Sequence, residues 1–314
     1  MAIRCQLCDV AHPGSPEDCP ERRTGETIAQ KYLVGQLLGV GGIAAVYAAT
    51  HPVLRRDIAI KIIHRRHAKD AELGERFVRE ARETAAMGHP AFVDVHDAGL
   101  TEDGCAYIEM ENLFGRDLFA VRKAAEVIDP ARATRIAIEV LGALEALHSR
   151  GVIHRDLKSA NIFLTVGSEG EQVKLLDLGF AKVAGELAIT VPNQLVGTPY
   201  YMSPEQYADP TTVDARSDVF SLGVVLFEIL TGTWPYTYKT KRELFSKVMK
   251  GDLERHPQRR RPEIPGWLDA IVARSLRFDR NERYDSADAM RVALERNDAG
   301  PPPKSGFFRR LVGR

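Results

Sequence analysis

The hydrophobic rhythm of the chain changes between Met110 and Asp117. Before that point apolar residues come in short runs, as in Tyr32-Leu33-Val34 and the alternating Ile58-Ala59-Ile60-Lys61, a period that predicts strands. Five short strands are expected between Tyr32 and Met110, interrupted by one helix around Glu75-Arg76-Phe77-Val78-Arg79-Glu80-Ala81-Arg82-Glu83, with Val78, Ala81 and Ala85 as its apolar stripe. From Asp117 onward the spacing is helical. Ile136, Val140, Leu144 and Leu147 recur along one face, and Gly151 just beyond them suits a left-handed terminating residue. A last helix is expected near Ser286 to Arg296, ahead of the break at Pro301-Pro302-Pro303.

The polar positions that interrupt this pattern carry the chemistry. Leu38-Gly39-Val40-Gly41-Gly42-Ile43-Ala44-Ala45-Val46 lies between two strand-like stretches, and glycine there lets backbone approach a phosphate closely. Alone, such a run is also an ordinary hairpin turn. Lys61 on the next strand would be a solvated charge unless a carboxylate partner exists, and Glu80, 80 − 61 = 19 residues further on, is the candidate. In the helical half, His154-Arg155-Asp156-Leu157-Lys158-Ser159-Ala160-Asn161 is followed by Asp177-Leu178-Gly179. Phosphoryl transfer needs a carboxylate to orient and accept the proton of a hydroxyl, and oxygen ligands to hold Mg²⁺ against a triphosphate. Asp156, Asn161 and Asp177 supply those groups in that order.

With Gly197-Thr198-Pro199-Tyr200-Tyr201-Met202-Ser203-Pro204-Glu205 following, the six motifs stand in the order of the protein kinase superfamily. The chain resembles its bacterial eukaryotic-like Ser/Thr members over roughly residues 32 to 297. The resemblance implies an α+β, two-lobed protein kinase fold, with a mainly β lobe at 32–110 carrying one key helix and a larger, mainly α lobe at 114–297. It implies that Lys61, fixed by Glu80, holds the α- and β-phosphates of ATP, and that Asp156 is the catalytic base. Asn161 and Asp177 would ligate Mg²⁺, Lys158 would offset charge on the γ-phosphoryl, and Thr198 would align Asp156. The flap residues Leu38 to Val46, with Ala59, Met110 and Phe163, would line the adenine slot, while Glu111-Asn112-Leu113 presents backbone groups to its edge. All would converge in a cleft between the lobes. Arg155 would gather a phosphate placed on Thr190, and Asp218 would steady the catalytic loop from the start of a buried helix. Glu205 and Arg283 would pair inside the large lobe.

Two positions depart from the family pattern: Leu178 replaces the phenylalanine of the metal turn, and Ala44 replaces the third flap glycine. Neither removes a ligand. The rival reading is a pseudokinase, a scaffold that binds nucleotide or partners without transfer, and the presence of Lys61, Glu80, Asp156, Lys158, Asn161 and Asp177 argues against it.

Composition narrows the picture further. The chain has 314 residues, 43 Lys plus Arg and 43 Asp plus Glu, so no net field favours nucleic acid, and protein substrates with Ser or Thr acceptors are the implied partners. Arg259-Arg260-Arg261 reads as solvated loop. Four cysteines, no signal-like segment and no membrane-spanning run imply a reduced, cytoplasmic protein. Residues 1–25 form a separate leader in which Cys5, Cys8, His12 and Cys19 are candidate zinc ligands, the alternative being a disordered Pro/Gly-rich segment. Residues 298–314 form a basic, apolar tail that could touch a membrane surface or a partner groove, or be a loosely ordered end.

Overall fold

The computed structural model describes residues 19–51, 53–124, 127–167, 170–177 and 199–301. The chain divides into two compact units, Met1–Phe114 and Gly115–Arg314.

In the first unit the expected five strands are β2 (Tyr32–Val40), β3 (Ala44–His51), β4 (Arg56–Ile63), β5 (Val95–Leu100) and β6 (Ala106–Glu111). A short β1 (Thr27–Ile28) joins them, giving an antiparallel sheet of order β1-β2-β3-β4-β6-β5. Alternation along β4 sends Ile58, Ile60 and Ile62 into a core with Tyr32, Tyr47 and Tyr107. Ile63, on the opposite face, packs with α1 (Ala71–Ala85) through Leu73, Phe77 and Ala81. The buried stripe of α1 is therefore Leu73-Phe77-Ala81, with Val78 half-buried at its margin and Ala85 exposed. Asp70 caps the helix by accepting from the Leu73 amide.

At the flap, Ala44 opens β3, pairs with Ile63 and is buried in the α1-facing core, where its methyl adds packing. One sequence expectation needs correction here: the leader is not separate up to residue 25. Cys19 and Arg23 are buried, the Tyr47 hydroxyl donates to the Pro20 carbonyl at 2.9 Å, and β1 pairs with β2. The buried Arg23 guanidinium is held by Asp103 at 2.9 Å and Glu26 at 3.4 Å, because a charge removed from water must be paired. Residues 19–28 thus belong to the small unit.

The second unit is mainly helical. A small sheet of β7 (Gly115–Asp117), β8 (Ile162–Gly167) and β9 (Gly170–Leu175) accompanies α2 (Leu118–Lys123), α3 (Pro130–His148), α4 (Pro204–Ala208), α5 (Ala215–Thr231), α6 (Lys241–Lys250), α7 (Gly266–Ser275) and α8 (Ala287–Glu295). Ile136, Val140, Leu144 and Leu147 of α3 are all buried, and Gly151 beyond it has φ +73°. α5 is buried all round from Ser217 to Leu230, mostly through apolar residues, which makes it the central strut. α7 crosses it closely at Gly223, where an added Cβ would lie 2.2 Å from the Ser275 hydroxyl. In the basic run at 259–261, Arg259 and Arg260 are exposed, as expected of a solvated loop, although the Arg260 guanidinium lies over the Phe227 ring; Arg261 alone turns inward and donates to the carbonyls of Ile128 and Leu230. Among the described residues no helix is long and apolar enough to cross a membrane.

One buried group is poorly served. Tyr236 packs with Tyr207, Leu244 and Val248, yet its hydroxyl is sealed from solvent with no hydrogen-bond partner among the described residues. Tyr236→Phe is expected to raise unfolding free energy by about 1 kcal/mol, because it removes a desolvated donor and keeps the ring. Urea denaturation checks this; a lower midpoint at equal m-value would contradict it.

Candidate active site

The helix-to-strand connection after α3 carries most of the polar groups singled out in the sequence. The chain leaves α3 at Gly151, runs through His154 to Asn161 without regular structure except a 3-10 turn over Ser159–Asn161, and enters β8. Arg155 has φ +61° and Asp177 has φ +44°, a left-handed conformation that costs a non-glycine residue about 1–3 kcal/mol and needs surrounding bonds to hold it. Asp218 supplies those bonds at Arg155. Its carboxylate accepts from the backbone amides of His154 at 2.9 Å and Arg155 at 3.0 Å, and from His148 Nε2 at 2.8 Å.

Asp218 lies in the first turn of α5 but does not cap it. Asp214 does, through the Arg216 amide, which leaves Asp218 to serve a loop more than sixty residues away. Gln206 adds a second clamp by donating to the Arg155 carbonyl at 2.9 Å.

Within the loop, Lys158 Nζ lies 2.9 Å from Asp156 Oδ2. Asn161 Nδ2 donates to the Asp156 carbonyl at 3.0 Å, so the amide nitrogen is committed and Oδ1 remains as an acceptor. The Leu176 amide donates to the Asn161 carbonyl at 2.8 Å, tying the end of β9, and with it the adjacent Asp177, to the loop. Phe163, half-buried on β8, pairs with Lys174 of β9 and Asp117 of β7. Asp156, Lys158, Asn161, Phe163 and Asp177 therefore belong to one local framework within the second unit.

The small unit assembles another group. Directly opposed residues of antiparallel strands share a face, and Val46 opposes both Gly39 and Lys61, Lys61 opposes Ile108, and Ala59 opposes Met110. Gly39, Val46, Ala59, Lys61 and Met110 thus share one surface of the sheet. Lys61 Nζ lies 5.5 Å from the centre of the Phe77 ring, and Glu80 is one turn further along α1. Leu38, Val40 and Ile43 are exposed around the flap, whose turn is closed by the Gly41 amide donating to the Ala44 carbonyl at 2.8 Å. From below, His64 Nε2 contacts the Gly41 carbonyl at 2.9 Å and the Arg66 guanidinium donates to that of Gly42. Glu111 ends β6, its side chain accepting from the Asp94 amide, and Asn112 and Leu113 follow outside the strand.

Glu205 and Arg283 pair as expected, at 2.7 and 2.9 Å in a fork. Thr190, Thr198 and Leu178 lie outside the described residues, as do Cys5, Cys8 and His12. Cys19, the remaining candidate zinc ligand, is packed in the small unit beside Arg23, Tyr47 and His64. Among the described residues no group of three His, Cys, Asp or Glu could hold a metal ion. Sequence reasoning missed His148, Gln206 and the pair Tyr201–Glu228, whose contacts join positions that no periodicity connects.

Comparison with known proteins agrees with this layout. Residues 32–293 match the protein kinase domain family, and the chain belongs to it. It is 37% identical over 285 residues to serine/threonine-protein kinase PknB of Mycolicibacterium smegmatis, covering 89% of this chain and 45% of that protein. It is 35% identical over 281 residues to serine/threonine-protein kinase pkn3 of Myxococcus xanthus, covering 87% and 51%. The chain thus spans about half the length of these curated relatives. Among solved structures, the PknI kinase domain of Mycobacterium tuberculosis superposes with a TM-score of 0.67 at 26% identity, covering 87% of this chain and 98% of that one. The fold is the protein kinase fold, a curled β-sheet lobe and a helical lobe, of the bacterial eukaryotic-like Ser/Thr type.

Proposed function

We propose that the chain is a cytoplasmic, ATP-dependent protein kinase that transfers the γ-phosphoryl of Mg-ATP to Ser or Thr hydroxyls of proteins, itself included. The observation that carries this reading is the loop around Asp156: a strained backbone held by Asp218 through two consecutive amides, with Lys158 beside the carboxylate and Asn161 locked to its carbonyl. A general base has to be fixed before the acceptor arrives, and these bonds fix it.

The donor set suits Mg²⁺, which prefers hard oxygen ligands. Asn161 keeps its Oδ1 as an acceptor, and Asp177 is an exposed carboxylate on a backbone tied to Asn161. When bound, the ion neutralises charge on the phosphates. Asp156 would accept the proton of the acceptor hydroxyl at its carboxylate, Lys158 would stabilise the transferred group, and Thr198 would align the base. Lys61, steadied by Glu80, would hold the α- and β-phosphates, while the face bearing Gly39, Val46, Ala59 and Met110, with Leu38 and Leu113, would contact the adenine. Arg155 would gather a phosphate on Thr190.

The test is transfer of label from γ-labelled ATP, with Mg²⁺, to a generic basic protein, followed by phosphoamino-acid analysis. Phosphoserine or phosphothreonine is expected, with Lys61→Met slower by about 10²–10³, the cost of losing one charge-stabilising donor. Phosphotyrosine alone, or no transfer by the wild-type chain, would refute the reading.

A further inference from the structure

Ser159 stands between Lys158 and Asn161, fully buried, and its hydroxyl is not used locally. The 3-10 turn it begins has no side-chain cap, and the bond made by Ser159 Oγ reaches 42 residues along the chain to Tyr201 Oη, at 2.8 Å. Tyr201 Oη in turn lies 2.6 Å from Glu228 Oε2 of α5 and donates its single hydrogen there, and the Ser159 hydroxyl lies within hydrogen-bond reach of both Tyr201 Oη and the Glu228 carboxylate. Trp234 Nε1 donates to the same phenolic oxygen at 3.4 Å.

The far end of this relay is firmly held. Glu228 is wholly buried, with Arg122 Nε 2.7 Å from Oε1 as a close ion contact, and the Arg122 guanidinium sits 4.5 Å from the Trp234 ring and 5.0 Å from that of Phe119. Tyr201 is fixed at its backbone as well, since Ser221 of α5 donates to its carbonyl at 2.8 Å. A hydroxyl buried at position 159 has to find a partner, so what matters is which segment supplies it. This one has a partner, and that partner belongs to the segment after Thr198 that faces the acceptor in the kinase reading.

We propose that Ser159 is a positioning residue, coupling the catalytic loop to the acceptor-facing segment through the hydroxyl relay Ser159–Tyr201–Glu228. This rests on the kinase reading above. A shift of Tyr201 acts on Ser159, and through it on Lys158 before it and Asn161 two residues after it. Tyr200, next to Tyr201, stacks between Trp234 at 4.6 Å and Tyr238 at 5.3 Å, so an acceptor pressing on that aromatic column also presses on the relay.

The experiment compares the wild-type chain with Ser159→Ala, Tyr201→Phe and the double variant, measuring KM for acceptor, KM for ATP and melting temperature. Ser159→Ala is expected to raise KM for the acceptor about three- to tenfold, the worth of one neutral hydrogen bond, and Tyr201→Phe, which also removes the bond to the Glu228 carboxylate, by at least as much, with KM for ATP rising less in both. The double variant should be no worse than the worse single one, because both remove the same link. Unchanged acceptor KM, equal rises for acceptor and ATP, or additive effects would each overturn the proposal. Tyr201→Phe carries the test alone if Ser159→Ala does not fold. An inactive wild-type chain would instead refute the kinase reading itself, so the two failures are distinguishable.

Discussion

Asp156→Asn is expected to lower the rate of phosphoryl transfer by about 10²–10⁴, the usual contribution of a positioned general base. The substitution keeps the shape of the side chain and removes its charge. The loop should hold its conformation, because the bonds that shape it come from Asp218 to the amides of 154 and 155 and from Asn161 to the backbone carbonyl of residue 156. What is lost is the proton acceptor and the ionic partner of Lys158, now at 2.9 Å. Nucleotide affinity, measured by thermal shift with Mg-ATP, should therefore stay at the wild-type level while label transfer collapses. A variant that transfers within about tenfold of wild type would show that Asp156 is not the base.

Arg283→Ala is expected to cost the large lobe about 3–5 kcal/mol, the range for removing one partner of a buried ion pair. The Arg283 side chain is fully sealed, and all five of its N–H groups are engaged: two with Glu205, and one each with the carbonyls of Arg216, Arg277 and Phe278. Its removal leaves Glu205 with the Ser217 hydroxyl as its remaining side-chain donor. At about 2–4 °C per kcal/mol for a domain of this size, the melting temperature should fall by roughly 6–20 °C. Arg283→Lys should recover little of this, since an ammonium carries three donors and no fork.

The pair also has a pH signature. Burial alone would raise the Glu205 carboxyl, but the bonds and charge of Arg283 more than reverse that, and its pKa lies below the ordinary value. A depressed folded value means that the unfolded chain takes up the proton first. The stabilisation is therefore complete above the unfolded pKa of about 4.3 and is lost as pH falls from there toward the folded value. The melting difference between wild type and Arg283→Ala should be full at neutral pH and shrink below that point. A difference that is flat with pH, or a melting temperature unchanged by the substitution, would mean that the pair is idle.

Much of this was legible before any coordinates. Alternation along Ile58-Ala59-Ile60-Lys61 gave the strand and the face of Lys61, because side chains of a strand alternate by geometry alone. Ile136, Val140, Leu144 and Leu147, four of the buried residues of α3, followed from helical spacing, and Gly151 from the need for a positive φ. The apolar stripe of α1 was misplaced because Val78 and Ala85 fit a helical period as well as Leu73 and Phe77 do, and only the position of the sheet decides which stripe is covered. The end of the leader was misassigned for a similar reason. Nothing in Cys19 to Arg23 announces a buried segment until Asp103 and Tyr47 are brought against it.

Sequence by itself determined which chemistry the chain can perform, since carboxylate, amide and ammonium groups in a fixed order are properties of residue type and local spacing. Tertiary structure decided which groups are held in place. Asp218 serves a distant loop rather than its own helix, Ala44 packs in a core, and Ser159 reaches Tyr201 across 42 residues. The physical reason is the same in each case. Periodicity encodes the direction of a side chain relative to its own backbone, whereas a buried polar group is satisfied by whatever donor or acceptor the packing of other elements delivers, and that partner has no fixed offset along the chain.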